Sequence, residues 1–295
     1  MSEPVSAVGL VGLGNMGLPM AGRLQAAGFR VVAHDAAEAA RDRAEAAGIE
    51  TAELGDVASG TALVILMLPG SDAVASVLAD PALRDRLEPG SLVVDMSSSE
   101  PMRTRALARE LLVGSVHLVD APVSGGVAGA TAGTLTIMLG GEADEAAHAM
   151  PFLESMGRVV HAGPVGAGHA VKALNNLLSA THLWATSEAM LAGQRFGLDP
   201  EVMLSIFNRS SGRSGSTENK WPNYILPGTF DSGFELHLML KDMRIGVRLI
   251  EATGVPDPLS AQAVELWERA AVGLPAAADH TEVAAWLRDR SEVRS

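Results

Sequence analysis

The sequence predicts a doubly wound α/β domain followed by a domain built of helices alone. Three observations lead there. Short apolar runs alternate with amphipathic stretches as far as about residue 163. The first of those runs opens directly into a glycine pattern, G-L-G-N-M-G. From Ala167 onward, about thirty residues rich in Ala, Leu and Met run without a proline until Gly197 and Pro200, and no strand pattern follows them. The expected division is a dinucleotide-binding domain at 1–163 and a helical domain at 164–295.

The elements follow in order. Residues 5–11 read as a buried strand that ends in the turn Gly12, Leu13, Gly14, Asn15, Met16, Gly17. A helix at 16–27 stops at Gly28. Strand, turn and helix N-terminus together place backbone N–H groups against a pyrophosphate, with Gly14 admitting the phosphate and Gly17 letting helix meet strand. A strand at 30–34 is capped by Asp35, eighteen residues past Gly17, where a Rossmann-type fold puts the acid that accepts hydrogen bonds from the adenosine ribose. A helix at 36–47 and a continuous apolar strand at 61–68 come next. The strand brings Leu68 and Pro69 to the carboxyl edge of the sheet, where ligands of such folds sit.

Residues 91–96 form another strand and end in Ser97, Ser98 and Ser99, which either cap the helix running to residue 113, face a nicotinamide, or do both. The strand at 116–121 leads into P-V-S-G-G. Ser124, Gly125 and Gly126 offer a hydroxyl and two unobstructed N–H groups there, a cradle for a carboxylate or simply a turn with its cap. Strands at 134–139 and 158–161 around a helix at 142–156 complete the sheet domain. After the long helix, further helices read at 200–208, 234–252, 257–271 and 281–288, with residues 210–220 as a loop or a short broken helix.

Composition sets bounds on function. At 295 residues, 47% of them hydrophobic and 19% charged, the chain suits two soluble domains with separate cores. No apolar run approaches the ~20 residues of a membrane span, no signal peptide is read at the N-terminus, and the expected location is cytoplasmic. With no cysteine, disulfides, thiolate catalysis and the common structural zinc sites are excluded. The eight histidines show no HxxxH or HxH pairing, so no metal centre is expected. A net charge of −13 opposes binding to nucleic acid or anionic membranes.

Lys172 and Asn176 are four apart on the long helix, so they project from one face. They either point at solvent near a helix end or do chemistry. The chain has only three lysines, Lys172, Lys220 and Lys241, among its 22 Lys and Arg residues. Lysine can move a proton when its pKa is lowered, whereas arginine effectively cannot.

Four separated motifs together resemble the β-hydroxyacid dehydrogenase family: G-L-G-N-M-G-L-P-M at 12–20, D-A-P-V-S-G-G at 120–126, G-P-V-G-A-G-H-A-V-K-A-L-N-N at 163–176 and K-D-M at 241–243. The resemblance covers nearly the whole chain. It implies reversible oxidation of a small 3-hydroxy acid to its semialdehyde, with hydride passing to a nicotinamide cofactor and the substrate in the cleft between the domains. By similarity Lys172 is the catalytic lysine, and Ser124, Gly125 and Gly126 hold the substrate carboxylate. Asn176 and Phe234 bind substrate, and Lys241 stands beside both substrate and cofactor. The related imine reductases carry Asp or Tyr where this chain has Lys172, which argues against them; an imine or other carbonyl reductase on the same scaffold and a catalytically silent dinucleotide-binding protein are the alternatives to a hydroxyacid dehydrogenase. Retention of the lysine likewise argues against a catalytically silent dinucleotide-binding protein. Gly246 and Met243 depart from the family's commoner Ala and Leu, a difference of packing. Asp35 favours NAD over NADP, with Arg41 and Arg43 as partial compensation. Apolar stretches at 177–184 and 245–250 suggest a homodimer or homotetramer through the C-terminal domain.

Overall fold

The computed structural model describes residues 6–292. The chain divides into two units, the first ending at Lys172 and the second beginning at Ala173. The predicted first strand includes Val5, which lies outside the described residues; the observed β1 is Ala7–Val11.

In the first unit β1 leads to α1 (Gly17–Ala26), β2 (Arg30–His34), α2 (Glu38–Ala46) and the two-residue β3 (Glu50–Thr51). Then come β4 (Leu63–Leu66), α3 (Ser71–Ala79), α4 (Pro81–Arg84), β5 (Leu92–Asp95), α5 (Pro101–Leu112) and β6 (His117–Asp120). The unit closes with β7 (Val123–Ser124), α6 (Gly126–Ala132), β8 (Leu135–Gly140), α7 (Ala143–Glu154) and β9 (Gly157–Gly163). The strands form one sheet in the order β3-β2-β1-β4-β5-β6-β8-β7, with β9 pairing with β8. The run from β3 to β6 is parallel throughout and has the 3-2-1-4-5-6 order of a dinucleotide-binding fold. Where β8 meets β6 and β7 the pairing is antiparallel.

Alternation along the strands explains the double winding. Leu10, Ile65, Leu92 and Val94 bury one face in a core shared with α1, α2, α6 and α7. Val11, Val64, Leu66 and Val93 bury the opposite face with residues of α3 and α5. A strand covered on both faces must be apolar at every position, as β4 and β5 nearly are.

Two readings shorten for identifiable reasons. The strand expected at 61–68 ends at Leu66, because the Leu68 N–H turns to the Ser97 hydroxyl (3.0 Å) rather than to a neighbouring strand. The helix expected at 36–47 starts at Glu38 because the Ala37 N–H donates to Asp35 Oδ1 (2.8 Å), a side-chain turn that competes with the helix. The Ser97 and Ser99 hydroxyls bond Leu68 and Asp95 rather than the start of α5; the flanking residue is Glu100, whose N–H donates to the Ser71 hydroxyl at 2.8 Å.

The division between units falls inside α8 (Ala167–Phe196). The second unit continues through α9 (Pro200–Phe207), a π-helical segment at Ser216–Ile225 with Pro222 inside it, α10 (Leu236–Thr253), α11 (Pro258–Gly273) and α12 (Val283–Glu292). Trp184, Trp221 and Trp267 anchor its core with Leu183, Met190, Met239 and Met243. Gly246 lets α10 approach α8: a Cβ there would stand 3.1 Å from the Ala173 carbonyl and 3.1 Å from the Leu177 Cβ. Most of the apolar stretches expected to form an interface are spent on this core. Leu177, Ala180, Leu183, Trp184 and Ile245 are buried, while Leu178 remains 58% exposed. No helix among the described residues is long and apolar enough to cross a membrane.

One carboxylate gathers the far end of the second unit. Asp279 accepts from the Ser232 hydroxyl (2.9 Å) and the backbone N–H groups of Gly233 (2.9 Å), Phe234 (3.2 Å) and Thr281 (2.9 Å), while its own N–H donates to Glu282. Burial pushes the Asp279 carboxyl up, but hydrogen bonds from His280 and Thr281 outweigh it and hold the group well below the usual carboxylate range. A folded-state pKa below the unfolded one adds stability that is present above about pH 4 and lost as pH falls through the folded value. Asp279→Asn should therefore cost about 2 kcal/mol at pH 7. Melting curves of the two proteins should converge as the pH drops below about 4; a gap that stays constant to pH 2.5 would reject the assignment.

Candidate active site

The glycine turn after β1 has the geometry a dinucleotide requires. Gly12 adopts φ +104°, and a Cβ there would lie 2.2 Å from the Met67 carbonyl; at Gly17 a Cβ would lie 1.8 Å from the Gly12 carbonyl. Neither site admits a side chain. Gly14 is the opposite case, since a Cβ there meets nothing within 4 Å, so its backbone faces open space with Asn15 exposed beside it. In the first turn of α1 the Leu18 N–H donates to the Gly14 carbonyl (3.2 Å) and Pro19 has no N–H, so the helix offers there its positive dipole end rather than a row of free donors. Asp35, at the end of β2, accepts from the Leu13 N–H (2.7 Å) through one oxygen and from Ala37 through the other. A carboxylate has about four lone-pair positions, so ribose hydroxyls still find acceptors on it. Arg41 donates to the Asp35 carbonyl at 2.6 Å. These residues fit a nicotinamide dinucleotide.

Along the sheet edge, Leu68 and Ser97 are joined directly, with Pro69 exposed next to them. Ser97 is itself oriented by Asp95, whose Oδ1 accepts the Ser97 N–H at 2.9 Å and whose Oδ2 accepts the Ser99 hydroxyl at 2.9 Å. Asp95 and Asp120 are register partners across β5 and β6, and both are buried. Asp120 accepts the N–H of Gly166 (2.6 Å) with one oxygen and that of His169 (2.7 Å) with the other. It therefore serves the orphan donors at the start of α8 from outside the helix. Burial pushes the Asp120 carboxyl up, against the opposing pull of His169 and the two N–H groups. Lys172, only 8% exposed, lies one turn further along this helix.

Ser124 ends β7, half-buried, and Gly125 and Gly126 follow with φ of +131° and +61°. Positive φ at both positions is what lets the chain turn from the strand into α6, and it is the region glycine tolerates without cost.

In the second unit Asn176, Lys241 and Asp242 come together. The Asn176 side-chain amide donates to Asp242 Oδ2 at 2.7 Å, and Lys241 Nζ lies 3.3 Å from Asp242 Oδ1. Asn176 and Asp242 are buried and Lys241 is half-exposed. Phe234 packs edge-on against His280 with ring centroids 5.8 Å apart. The remaining lysine, Lys220, donates to the Ser179 hydroxyl at 2.8 Å, and burial pushes its pKa down to about 8 against the opposing charge of Asp279.

Asp95, Asp120, His169 and Asp242 carry no assigned role in the sequence reading, although three of them stand inside the quoted motifs. The available signal was a charged or titratable residue next to a motif glycine or lysine. Their partners lie 46 to 66 residues away for Asp120 with Gly166 and Asn176 with Asp242, beyond any local pattern.

Comparison with known proteins agrees with this geometry. Residues 7–166 match the profile described as the NAD binding domain of 6-phosphogluconate dehydrogenase, and residues 166–287 the profile described as NAD-binding of NADP-dependent 3-hydroxyisobutyrate dehydrogenase. The chain is 37% identical to 2-(hydroxymethyl)glutarate dehydrogenase of Eubacterium barkeri over 88% of each protein. It is 38% identical to the NAD-dependent L-serine dehydrogenase of Pseudomonas aeruginosa, over 88% of this chain and 90% of that one. The solved structure of Mycobacterium tuberculosis 3-hydroxyisobutyrate dehydrogenase with L-serine superposes with a TM-score of 0.91 at 30% identity, covering 97% of this chain and all of the other. A glycine turn that excludes side chains, a carboxylate at the end of β2 and profile matches that run from residue 7 to residue 287 converge on one conclusion: the chain belongs to the β-hydroxyacid dehydrogenase family and is an NAD(P)-dependent hydroxyacid oxidoreductase.

Proposed function

We propose that the enzyme interconverts a small 3-hydroxy acid and its semialdehyde, with Lys172 as the group that moves the proton. The observation that carries this reading is a buried lysine on the turn of α8 that follows the Asp120-capped start. Oxidation of an alcohol leaves its oxygen with a proton to lose as the carbon becomes electron-poor. Lys172 in its neutral form accepts that proton, and as an ammonium it returns it in the reverse direction. The bound nicotinamide supplies the hydride chemistry. Ser124 donates its hydroxyl hydrogen, and Gly125 and Gly126 their N–H groups, to the substrate carboxylate. Asn176, held by Asp242, presents its amide to the substrate, with Lys241 and Phe234 as further binding groups. The substrate is a small carboxylate-bearing alcohol; L-serine, 3-hydroxyisobutyrate and 2-(hydroxymethyl)glutarate, the compounds named for the relatives, are the first to try.

NAD is the preferred cofactor in this reading. The Asp35 carboxylate accepts from ribose hydroxyls and repels a 2′-phosphate at the same place, and Arg41 is engaged by the Asp35 carbonyl. The protein assembles as a homodimer or homotetramer through its second unit. The support for assembly is the apolar surface left over there: Leu178 (58% exposed), Val202 (57%), Ile206 (57%) and Phe196 (84%).

Three measurements test these proposals. The ratio of kcat/KM for NAD over NADP should be about tenfold or more, equivalent to about 1.4 kcal/mol, and a preference for NADP sinks the cofactor assignment. In a kinetic series on the three alcohols, Lys172→Ala should lose about 10² to 10⁴ in kcat. Lys172→Arg should fail nearly as badly, because a guanidinium keeps its proton; an arginine variant with most of its activity would make Lys172 a binding charge. In the same series Ser124→Ala should raise KM for the alcohol, losing about 1.5 to 3 kcal/mol of binding, with NAD affinity unchanged. Light scattering at micromolar concentration should give a multiple of the 30.6 kDa chain mass, and a monomer would refute the assembly.

A further inference from the structure

His169 is completely enclosed in the first unit, at 1% exposure, and lies against two carboxylates. Its Nε2 is 3.0 Å from the Ser97 carbonyl and 3.8 Å from Asp95 Oδ2; its Nδ1 is 2.9 Å from the Thr104 hydroxyl and 3.7 Å from Asp120 Oδ2. A carbonyl only accepts, so Nε2 carries a hydrogen. Nδ1 then accepts from the Thr104 hydroxyl in the neutral ring, or donates to it in the imidazolium while that hydroxyl donates to the Glu100 carbonyl at 3.1 Å. The backbone N–H of the same residue is held by Asp120 at 2.7 Å. His169 is thus fixed at three points: main chain to β6, one ring nitrogen to the Ser97 segment, the other to α5.

Stability alone is a weak reason for such a cluster. Burying two carboxylates and an imidazole costs desolvation that their mutual attraction repays only with good geometry, and apolar residues of similar volume often serve as well. What the cluster does supply is placement. His169 lies three residues before Lys172, so the two share one side of α8 on successive turns. On its other side, His169 binds the segment whose Ser97 hydroxyl receives the Leu68 N–H. We infer that His169, together with Asp120, is a positioning residue for Lys172, locking the first turn of α8 to the Leu68 and Ser97 segments so that the ammonium is held in register with the cofactor side of the sheet. Gly168, beside it, shows how little slack there is: a Cβ at that position would lie 2.0 Å from the Met138 carbonyl.

This inference rests on the reading of Lys172 as the proton carrier, and the test separates the two. His169→Gln keeps a side-chain amide in place of the ring but removes the imidazole's fixed pair of contacts. In the full-length protein, assayed with NAD and whichever of the three alcohols is turned over fastest, kcat should fall about 10- to 100-fold, the scale of loss for a misplacement near 1 Å. The KM for the alcohol, the NAD affinity measured by fluorescence titration and the far-UV circular dichroism should stay close to wild type. Asp120→Asn should show the same split. In a Lys172→Ala background, His169→Gln should change the residual rate less than about twofold, because the residue acts only through the lysine.

An equal loss in both backgrounds would make His169 merely structural and overturn the inference, as would a kcat within twofold of wild type or a parallel loss of NAD affinity. If His169→Gln does not fold, Thr104→Val, which removes only the hydroxyl from Nδ1, is judged by the same criteria with a smaller expected loss of about 3- to 10-fold. A near-normal kcat in Lys172→Ala alone would instead remove the proton-carrier reading, a result distinguishable from every outcome above.

Discussion

Two carboxylates stand side by side at the carboxyl ends of β5 and β6, in register and out of reach of water. Like charges that close in a medium of low dielectric cannot both persist without compensation. The surrounding chain supplies it from three directions: backbone N–H groups from the start of α8, the Ser97 N–H and the Ser99 hydroxyl, with the His169 ring packed between the two carboxylates. Each of those donors belongs to a segment to which cofactor or proton chemistry is proposed above. Satisfying the carboxylates and fixing these segments against one another are therefore one requirement. A parallel sheet provides the setting, because its strand ends lie along one edge and expose the loops where polar groups gather.

The fold was largely legible because its periodicities are strong. Residues 30–34 and 167–196 appear where the apolar pattern and the glycine and proline punctuation put them. The edges of other elements moved by a residue or two wherever a side chain captured a backbone donor, as Ser97 does at Leu68 and Asp35 does at Ala37. Residues 71–84 went unread; they fold into α3 and the single turn α4. The antiparallel arrival of β8 and the π-helical turn at Ser216–Ile225 also escaped, since neither strand direction nor helix winding leaves a distinct local signature.

Site residues divide along a different line. Glycines that must exclude a side chain are visible in sequence, because few other residues can occupy such a turn. Gly12 and Gly17 bear this out through contacts of about 2 Å that a Cβ would make. Buried carboxylates such as Asp120 and Asp242 are not visible in this way, because their meaning lies in donors dozens of residues distant. The apolar stretches at 177–184 and 245–250 show that a hydrophobic run can be largely consumed by the unit's own core while still leaving a side chain such as Leu178 exposed.

Asp279 joins positions 232–234 to positions 279–282, closing a loop that spans 47 residues between Ser232 and its carboxylate. In many proteins a closure of that length falls to a disulfide, which restricts the unfolded chain and resists thermal opening. Here the chain has no cysteine, and the closure is made of hydrogen bonds to a single anion. Such a tie needs no oxidant to form, re-forms without shuffling partners and is indifferent to thiols, so its strength follows pH rather than redox conditions.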